Sequence, residues 1–290
     1  MLERLTYLLL TVLPHHLLSR GMYRLARLRL GWLKNFMIRL FVRRYGVDLT
    51  EAEFDTPAAY PCFNAFFTRA LRPGARALAA GGDSLACPVD GRISQCGALR
   101  DGRLIQAKGL DYSLDALLGG PLDGGDLNRE LAAHGLFATL YLSPRDYHRI
   151  HMPLAGTVHH LRFIPGRLFS VNAWSAAHVP GLFARNERVV TVFDTAAGPL
   201  VMVLVGAIFV GTMETVWTGE LRSRRGRPWE RDYRDRQPPL HLGKGEEMGR
   251  FNMGSTVIVL LDGRRTRLAP SLVPGKPVRM GEELGELISP

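Results

Sequence analysis

Short apolar runs alternate with glycine- and proline-rich turns from residue 85 to the end of the sequence. Runs rich in valine, isoleucine and leucine that are bounded by such turns are typical of strands. The pattern predicts strands over 91–94, 104–107, 136–142, 157–164, 189–193, 201–210, 215–217 and 256–261. It also predicts short helices at 115–118 and 127–133, and an exposed arginine-rich loop over 219–242. This spacing favours a mostly antiparallel β domain over a succession of β–α–β units.

Residues 17–45 follow a helical period instead. On a wheel of about 3.6 residues per turn, the apolar side chains at positions 25, 28, 32, 33, 36 and 40 share one side. The other side carries Arg20, Arg24, Arg27 and Lys34. Such a helix could lie on a lipid surface, or it could pack on its own domain with a solvated basic face. We therefore expect an α+β chain, with amphipathic helices over 1–45 and a mostly antiparallel β catalytic domain over 46–290.

The net charge of +10 is concentrated in the same N-terminal segment. Residues 1–45 hold nine Lys and Arg residues and one acid, Glu3, which gives +8 and leaves +2 for the rest. An anionic membrane or a nucleic acid would attract this segment, and its Leu, Trp and Phe content favours the membrane. The apolar run 5–13 is about half the ~20 residues that a spanning helix needs. A cleaved signal peptide is the rival interpretation, but no small-residue cleavage site follows.

The composition excludes several classes of protein. Apolar residues make up 46% and charged residues 22%, which is typical of a globular chain and not of a disordered or collagenous one. The three cysteines, Cys62, Cys87 and Cys96, give an odd count and no C-x-x-C pair. A zinc ribbon, a dithiol redox motif and a disulfide framework therefore lack support, and we expect a reducing compartment.

The segment 141–153 stands out because it combines several kinds of ionisable side chain. It places His148 and His151 among two arginines, an aspartate and two tyrosines, directly after an apolar strand and between two prolines. Polar clusters at strand ends are common places for functional sites. The two histidines could also be metal ligands, although no third ligand is near in sequence, or the segment could be an ordinary surface turn.

Two further segments supply a carboxylate and a hydroxyl. Asp90 lies in a Pro-Val-Asp-Gly stretch that an ordinary β-turn would also explain, and Ser255 follows Gly254 directly before the predicted strand 256–261. Asp, His and Ser together can activate a hydroxyl, since the histidine takes its proton and the aspartate stabilises the resulting charge. The Gly-x-Ser-x-Gly elbow of common hydrolases is absent. A serine esterase acting on lipids and a non-catalytic basic module that binds membranes or nucleic acid remain as alternatives.

The motifs as a set resemble the phosphatidylserine decarboxylases, in particular the bacterial membrane-associated type. The resemblance covers almost the whole chain and rests on Cys87-Pro-Val-Asp-Gly91, Gln106-Ala-Lys-Gly109, residues 141–153, Phe169-Ser-Val-Asn172, Leu182-Phe-Ala-Arg-Asn-Glu-Arg188, Val205-Gly-Ala, Glu214-Thr-Val-Trp217 and Gly245-Glu-Glu-Met-Gly-Arg-Phe251. The self-processing motif of that family, Leu-Gly-Ser-Thr, reads Met253-Gly-Ser-Thr256 here. Leucine and methionine have similar volumes, so the change spares the reacting atoms.

The resemblance implies a role for each matching residue. Asp90, His151 and Ser255 correspond to a self-cleavage triad that cuts between Gly254 and Ser255 and leaves a β chain, 1–254, and an α chain, 255–290. Ser255 would become a covalent pyruvoyl group that takes the place of pyridoxal phosphate as a Schiff-base electron sink, with no metal. His148 would return a proton to the substrate carbon, since the pKa of histidine lies near working pH.

The resemblance also implies partners and a location. The substrate would be phosphatidylserine, converted to phosphatidylethanolamine and CO2, and the protein would lie peripherally on the cytoplasmic face of the cell membrane. The partners would be the anionic membrane surface and no nucleic acid. The α and β chains would form a heterodimer, with further dimerisation left open.

Overall fold

A computed structural model describes residues 13–209, 212–223, 226–253 and 255–288, with only the backbone of residue 255. The α+β class is confirmed, with helices first and a mostly antiparallel β region after them. The described α-helices are α1 (His15–Ala26), α2 (Gly31–Tyr45), α3 (Phe63–Phe67), α4 (Leu114–Leu118), α5 (Asp126–His134), α6 (Ala173–His178) and α7 (Leu182–Arg185). Short 3-10 helices cover Pro57–Ala59 and Asp123–Gly125.

The strands form one large sheet and three small ones. In chain order they are β1 (Ser84–Ala86), β2 (Gly91–Ala98), β3 (Arg103–Ala107), β4 (Leu110–Ser113), β5 (Gly135–Leu142), β6 (Arg149–His151), β7 (Gly156–Ile164), β8 (Arg188–Thr195), β9 (Gly198–Gly206), β10 (Met213–Thr215), β11 (Gly219–Leu221), β12 (Trp229–Asp232), β13 (His241–Leu242), β14 (Glu247–Phe251), β15 (Ser255–Asp262), β16 (Thr266–Leu268), β17 (Pro277–Val278) and β18 (Glu283–Leu287).

The nine-stranded sheet has the order β12-β7-β8-β9-β15-β5-β2-β17, with β13 also beside β7. A four-stranded sheet has the order β11-β10-β14-β6, and the smaller sheets are β1-β18-β16 and β3-β4. The paired strands run antiparallel, as the short turn-bounded runs predicted.

Strand β15 lies inside the large sheet because both of its faces are apolar. Val257, Val259 and Leu261 belong to the core cluster on one face, and Ile258 and Leu260 to the cluster on the other. A strand that is buried on both faces reads as a continuous apolar run rather than an alternating one. The run 256–261 had that signature, and its prediction as a strand is confirmed.

Two strand predictions and one loop prediction were wrong in part. The apolar run 201–210 leaves the sheet at Gly206, and residue 210 lies outside the described part. The predicted strand 215–217 instead ends at residue 215. The segment 219–242 is not a continuous loop, since β11, β12 and β13 fall within it. Strand β12 is fixed at the sheet edge by Trp229, whose ring stacks on Phe163 with centroids 5.7 Å apart.

The amphipathic segment 17–45 is divided into two helices, separated at residues 27–30. Helix α2 is attached to the domain through Ile38, which is fully buried. Lys34 is buried beside it and does not belong to a solvated basic face, because its Nζ donates to the carbonyl oxygens of Pro57 and Ala58 at 3.0 and 3.3 Å. In contrast, Trp32 is 74% exposed and Phe36 59%. Within the described residues, none of the helices has the length and hydropathy needed to cross a bilayer.

Candidate active site

The predicted cleavage bond lies where the chain passes from the four-stranded sheet to the nine-stranded sheet. Strand β14 ends at Phe251 and β15 begins at Ser255. Between them, the Asn252 side chain is held from two directions: its Nδ2 donates to the Thr212 hydroxyl at 2.8 Å, and its Oδ1 accepts from Asn64 Nδ2 at 2.9 Å. The chain just before the predicted cleavage bond is therefore anchored through the Asn252 side chain.

Met253 is strained in this anchored junction. Its φ of +110° is in a region that residues with a side chain rarely adopt. Non-glycine residues in such regions cost of order 1–3 kcal/mol each and cluster at functional sites. The strained residue comes directly before the Gly254-Ser255 pair, and the backbone of Ser255 is already paired with Leu142 on β5 and Gly206 on β9.

His151 lies at the end of β6 with both ring nitrogens engaged. Nδ1 lies 2.8 Å from the carbonyl oxygen of Gly245, so it carries the proton and donates it. Nε2 is then the unprotonated nitrogen, and the hydroxyl of Tyr147 lies 2.9 Å from it. Burial lowers the pKa of His151, and the carbonyl of Gly245 and the charge of Glu247 oppose that shift. The ring is therefore a neutral base at pH 7.

Asp90 lies at the same end of the large sheet but does not hold the His151 ring. The backbone N–H of His151 donates to the Pro88 carbonyl at 2.9 Å, which joins β6 to the turn that carries Asp90. The Asp90 carboxylate accepts instead from Arg76 Nη2 and from the backbone N–H of Met280, each at 2.8 Å. The expectation that Asp90 orients the imidazole therefore differs from the structure, where the Gly245 carbonyl does so. The charge of Asp90 still raises the pKa of His151 from a distance.

His148 is fully buried, and its environment contradicts the expected pKa near 7. Its ring lies on Phe67 with centroids 4.1 Å apart, and Nδ1 lies 2.8 Å from the Asp146 carbonyl oxygen. Burial, together with the positive charge of Arg69, lowers the pKa of His148 to about 3. The ring is neutral at pH 7 and cannot act as a proton donor in the resting protein. Its Nε2 is buried without a hydrogen-bond partner among the described residues.

Sequence reasoning missed three contributors to this site. Tyr147 was one polar residue among several, yet its hydroxyl contacts the basic nitrogen of His151. Gly245 orients that ring through its backbone, which no side-chain pattern reveals. Arg69 is 5% exposed and its Nη2 donates to the Arg145 carbonyl at 3.0 Å. The only signal for Tyr147 was its place four residues before His151.

A metal site at His148 and His151 lacks a set of three ligands among the described residues. Among the residues that the structure describes, no group of three or more His, Cys, Asp or Glu side chains could hold a metal ion. The two rings also have different neighbours, since His148 lies on Phe67 and His151 lies beside Tyr147.

Comparison with known proteins gives one consistent family. A family model described as "Phosphatidylserine decarboxylase" matches residues 63–286, and a second, described as "PSD", matches residues 5–46. The "Phosphatidylserine decarboxylase proenzyme" of Nitrosococcus oceani is 53% identical over 285 residues, which cover 96% of this chain and 90% of that protein.

Two further relatives carry the same name. The protein of Azoarcus sp. is 53% identical over 292 residues and covers 100% of this chain and 98% of its own length. The protein of Ectopseudomonas mendocina is 50% identical over 293 residues, with 98% of this chain and 99% of its own length covered. These matches agree with the motifs and with the α+β architecture. The chain therefore belongs to the phosphatidylserine decarboxylase family of enzymes.

Proposed function

We propose that the chain decarboxylates phosphatidylserine to phosphatidylethanolamine and CO2 at the cytoplasmic face of the cell membrane, after it has cut its own backbone between Gly254 and Ser255. The observation that carries the proposal is the junction between β14 and β15, where Met253 is strained and Asn252 is clamped. Cleavage of the Gly254–Ser255 bond, one residue further along the chain, would release that strain. The family membership and the word "proenzyme" in the relatives' names support the same function.

His151 is the base for the self-cleavage. Its Nε2 takes the proton of the Ser255 hydroxyl, and the oxygen attacks the Gly254 carbonyl, so that the peptide becomes an ester. Elimination then frees the Gly254 carboxylate and leaves dehydroalanine, which water converts to the pyruvoyl group and ammonia. Asp90 and Glu247 stabilise the imidazolium formed at His151 through their charge, since both raise its pKa.

The two chains stay together after the cut. Strand β15 begins at the new terminus, and its residues 255–262 pair with β5 on one side while residues 255–260 pair with β9 on the other. Strands β16, β17 and β18 of the small chain pair with each other, with β1 or with β2. These ladders bury the small chain in the sheet, and an αβ heterodimer is the expected product.

Two features are compatible with a small ketone-bearing group at position 255. The register partner of residue 255 on β9 is Gly206, which carries no side chain of its own, and the nearby sequence motif supplies His148, whose Nε2 is a buried acceptor without a partner among the described residues. A pyruvoyl group there would supply the electron sink for decarboxylation. His148 returns a proton to the substrate carbon after CO2 has left. The ring is neutral at rest, and an anionic substrate beside it would raise its pKa so that it can carry and deliver that proton.

The N-terminal helices support a location on a membrane. Trp32, Phe36 and Leu40 on α2 are 74%, 59% and 56% exposed, so one apolar side of the helix has no protein cover within the described chain. An apolar cavity of about 380 Å³ lies beside this helix, and its lining includes Phe41 and Met253. The cavity therefore extends to the residue before the cleavage pair, and its apolar lining suits the acyl chain of a lipid substrate.

Denaturing mass spectrometry of the purified protein tests the proposal. Wild type should give two chains, 1–254 and 255–290, with the smaller one blocked at its N-terminus, and should release CO2 from phosphatidylserine vesicles. Ser255→Ala should remain one intact, inactive chain, whereas Ser271→Ala, on the same small chain, should be cut and active. An intact wild-type chain that hydrolyses lipid esters would identify a serine esterase instead. Cleavage of Ser255→Ala at the same bond would show that an external protease makes the cut.

A further inference from the structure

A charged cavity of about 320 Å³ lies beside the candidate active site, and Ser143 and Tyr147 are among the residues that line it. The Tyr147 hydroxyl also contacts the Nε2 of His151. Ser143 directly follows Leu142, which is the register partner of Ser255 on β5. Because neighbouring strands lie about 4.8 Å apart, the cavity wall at Ser143 is one strand away from position 255.

Arg69 is a buried part of this cavity wall, and its charge has no direct partner. The residue is only 5% exposed, and within the described chain it forms no ion pair with a carboxylate. Its Nη2 donates to the carbonyl oxygens of Arg145 and Asp146, at 3.0 and 3.4 Å, whereas its Nη1 is buried without a hydrogen-bond partner among the described residues. A buried charge is costly unless it is paired, so an anion bound beside Arg69 would gain a favourable partner.

Two other arginines of the cavity are neutralised within the protein. Arg76 and Arg279 both pair with Glu51, and Arg76 also pairs with Asp90. Over the whole lining, five arginines face four carboxylates. The charge that remains for a ligand is therefore positive, and Arg69 is its buried source.

Arg145 brings a second positive charge to the same cavity. Its side chain is 56% exposed, and its Nε lies 3.8 Å from Asp146 Oδ1, which is beyond hydrogen-bond distance. The Asp146 carboxylate instead accepts from the backbone N–H and the hydroxyl of Ser143, each at 2.7 Å. Arg69 and Arg145 can therefore face one anion from the buried and the exposed side of the cavity.

The charged cavity adjoins the apolar cavity that contains Met253 in its lining. The two meet at the C-terminal end of α2, where Tyr45 lines the apolar cavity and Gly46 lines the charged one. Gly46 ends the helix with a φ of +64°. A phospholipid has the matching arrangement, with apolar chains joined to an anionic headgroup. A lipid whose acyl chain occupies the apolar cavity would therefore bring its headgroup to Arg69.

The phosphodiester of a phosphatidylserine headgroup suits Arg69 better than the carboxylate does. The carboxylate leaves as CO2, and an arginine held against it would stabilise the charge that the reaction has to disperse. The phosphodiester keeps its charge throughout, and guanidinium groups bind phosphate oxygens through paired N–H donors. The few bonds between the phosphate and the amine of the headgroup can span the distance of one strand to position 255.

We propose that Arg69, assisted by Arg145, binds the phosphodiester of the lipid headgroup in this cavity and so places the amine at position 255. The inference rests on the proposed function and adds a substrate-binding subsite to it. No bond forms or breaks at Arg69.

Binding of the phosphodiester would also act on His148. Burial, and after it the positive charge of Arg69, lower the pKa of His148. An anion that neutralises Arg69 would remove the second of these causes, so the ring would accept a proton more readily when the headgroup is bound.

The test measures binding to the uncut Ser255→Ala chain, so that no reactive group takes part. Dioctanoyl phosphatidylethanol has the phosphodiester without an amine or a carboxylate, and dioctanoylglycerol hemisuccinate has a carboxylate without phosphate. Ligand-observed NMR gives the dissociation constant of each, below the concentration at which these lipids form micelles. Inorganic phosphate, added as a competitor, distinguishes a headgroup site from a site for the free anion.

Arg69→Gln should weaken the binding of phosphatidylethanol by about 10–100-fold, the range for a lost hydrogen bond to a charged group, and leave hemisuccinate binding unchanged. Arg145→Gln removes a more exposed charge and should weaken phosphatidylethanol binding by about 2–5-fold. Arg265→Gln is the matched control, since this exposed arginine follows the opposite end of β15, and it should bind both analogues like the parent chain.

Activity gives a second readout. In the self-cut protein, Arg69→Gln should raise the KM for dioctanoyl phosphatidylserine by a similar factor with little change in kcat, because the phosphodiester is held equally before and during the reaction. Arg265→Gln should leave both constants unchanged.

Several outcomes would overturn the inference. Absent binding of phosphatidylethanol, or binding that Arg69→Gln leaves unchanged, would do so, as would a loss confined to the hemisuccinate. Inorganic phosphate that competes at the same concentration as phosphatidylethanol would show a site for the free anion instead of the headgroup. Loss of both analogues in Arg69→Gln would report damage to the fold, and unchanged phosphatidylethanol binding by Arg145→Gln would then overturn the inference.

Failure of the proposed function has a different signature. A wild type that is uncut and releases no CO2, while the Ser255→Ala chain still binds phosphatidylethanol through Arg69, would overturn the proposed function and leave the phosphodiester subsite standing.

Discussion

The N-terminal helices and the nine-stranded sheet both carry apolar runs, but they use them in opposite ways. In the sheet, Val257 and Ile258 on adjacent positions of β15 are fully buried on opposite faces. In α2, Trp32 and Phe36 point away from the protein and are 74% and 59% exposed. Monomeric soluble proteins rarely expose contiguous large apolar side chains without a binding role. The sheet therefore buries its apolar runs in the core, whereas the exposed side of α2 is the surface that the proposed function places on a membrane.

The N-terminal helices are nevertheless packed against the aromatic cluster that adjoins His148. Ile38 of α2 shares a buried cluster with Phe63, Phe66 and Phe67, and Phe67 lies on the ring of His148. The charge pattern separates residues 1–45 from the rest by composition. The side chains on the two sides of residue 45 nevertheless pack together in one buried cluster. Deletion of residues 1–45 would uncover the aromatic cluster beneath His148, so surface substitutions separate the two regions more cleanly than truncation does.

Loss of the His151 base should have the largest effect on the sheet region. His151→Ala should leave the chain uncut because no neutral base remains for the Ser255 hydroxyl, and denaturing mass spectrometry would show one species. In wild type the cut should continue as pH falls through 6.5, since the pKa of His151 is lowered from that value and the ring stays neutral. The rate should fall only at more acidic pH. Normal cutting of His151→Ala would assign the base to another group.

His148→Ala should separate cutting from decarboxylation. The variant should be cut normally, because the ring has no described contact with the cleavage base, but should decarboxylate about 10²–10⁴-fold more slowly, as expected for a lost proton-transfer group. Release of CO2 by the cut protein measures the effect, with exposed His134→Ala as the control. An uncut His148→Ala chain would show that the roles of the two histidines are exchanged.

The large sheet could be predicted from the sequence because its runs are long and bounded by clear turns. Strands β5, β7, β8 and β15 lie within a residue or two of the predicted ranges. Strand β12 could not be predicted, because its polar residues at the sheet edge have the pattern of a loop. It is held in place by the stacking of Trp229 on Phe163, which is distant in sequence. The helical period of α2 likewise predicted a solvent-exposed Lys34. In the structure its Nζ donates to the carbonyl oxygens of Pro57 and Ala58, in a 3-10 helix that the period could not reveal.

The sequence could propose the residues of the candidate site but not their contacts. The motifs identified Asp90, His148 and His151, and the fold places them at one end of the large sheet. Their charge states depend on burial, on the Gly245 carbonyl and on Arg69, which are distant in sequence. The sequence assigned His148 an ordinary pKa near working pH, whereas burial in the structure lowers the pKa of His148 and also that of His151.

A change confined to the helical region should alter location without altering the cut. The triple variant Trp32→Ser, Phe36→Ser, Leu40→Ser removes exposed side chains that would each contribute about 1.5–3 kcal/mol if fully buried in lipid. Binding to phosphatidylserine vesicles, measured by flotation, should fall strongly, while mass spectrometry still shows both chains. Ile105→Ser changes an apolar residue of 42% exposure on β3 and should bind like wild type. Unchanged vesicle binding by the triple variant would refute the membrane assignment of α2.

The smallest effect concerns the basic residues of the same helix. Arg39 and Arg43 are exposed on α2, and each basic residue near an anionic surface contributes about 1 kcal/mol. Arg39→Gln with Arg43→Gln should therefore weaken vesicle binding at low salt by about 30-fold, and the apolar side chains should hold the protein in place. Salt screens charges over about 8 Å at physiological ionic strength, so the difference between wild type and variant should shrink as salt rises. A difference that persists at high salt would mean that these arginines act through packing within the protein rather than through their charge at the membrane.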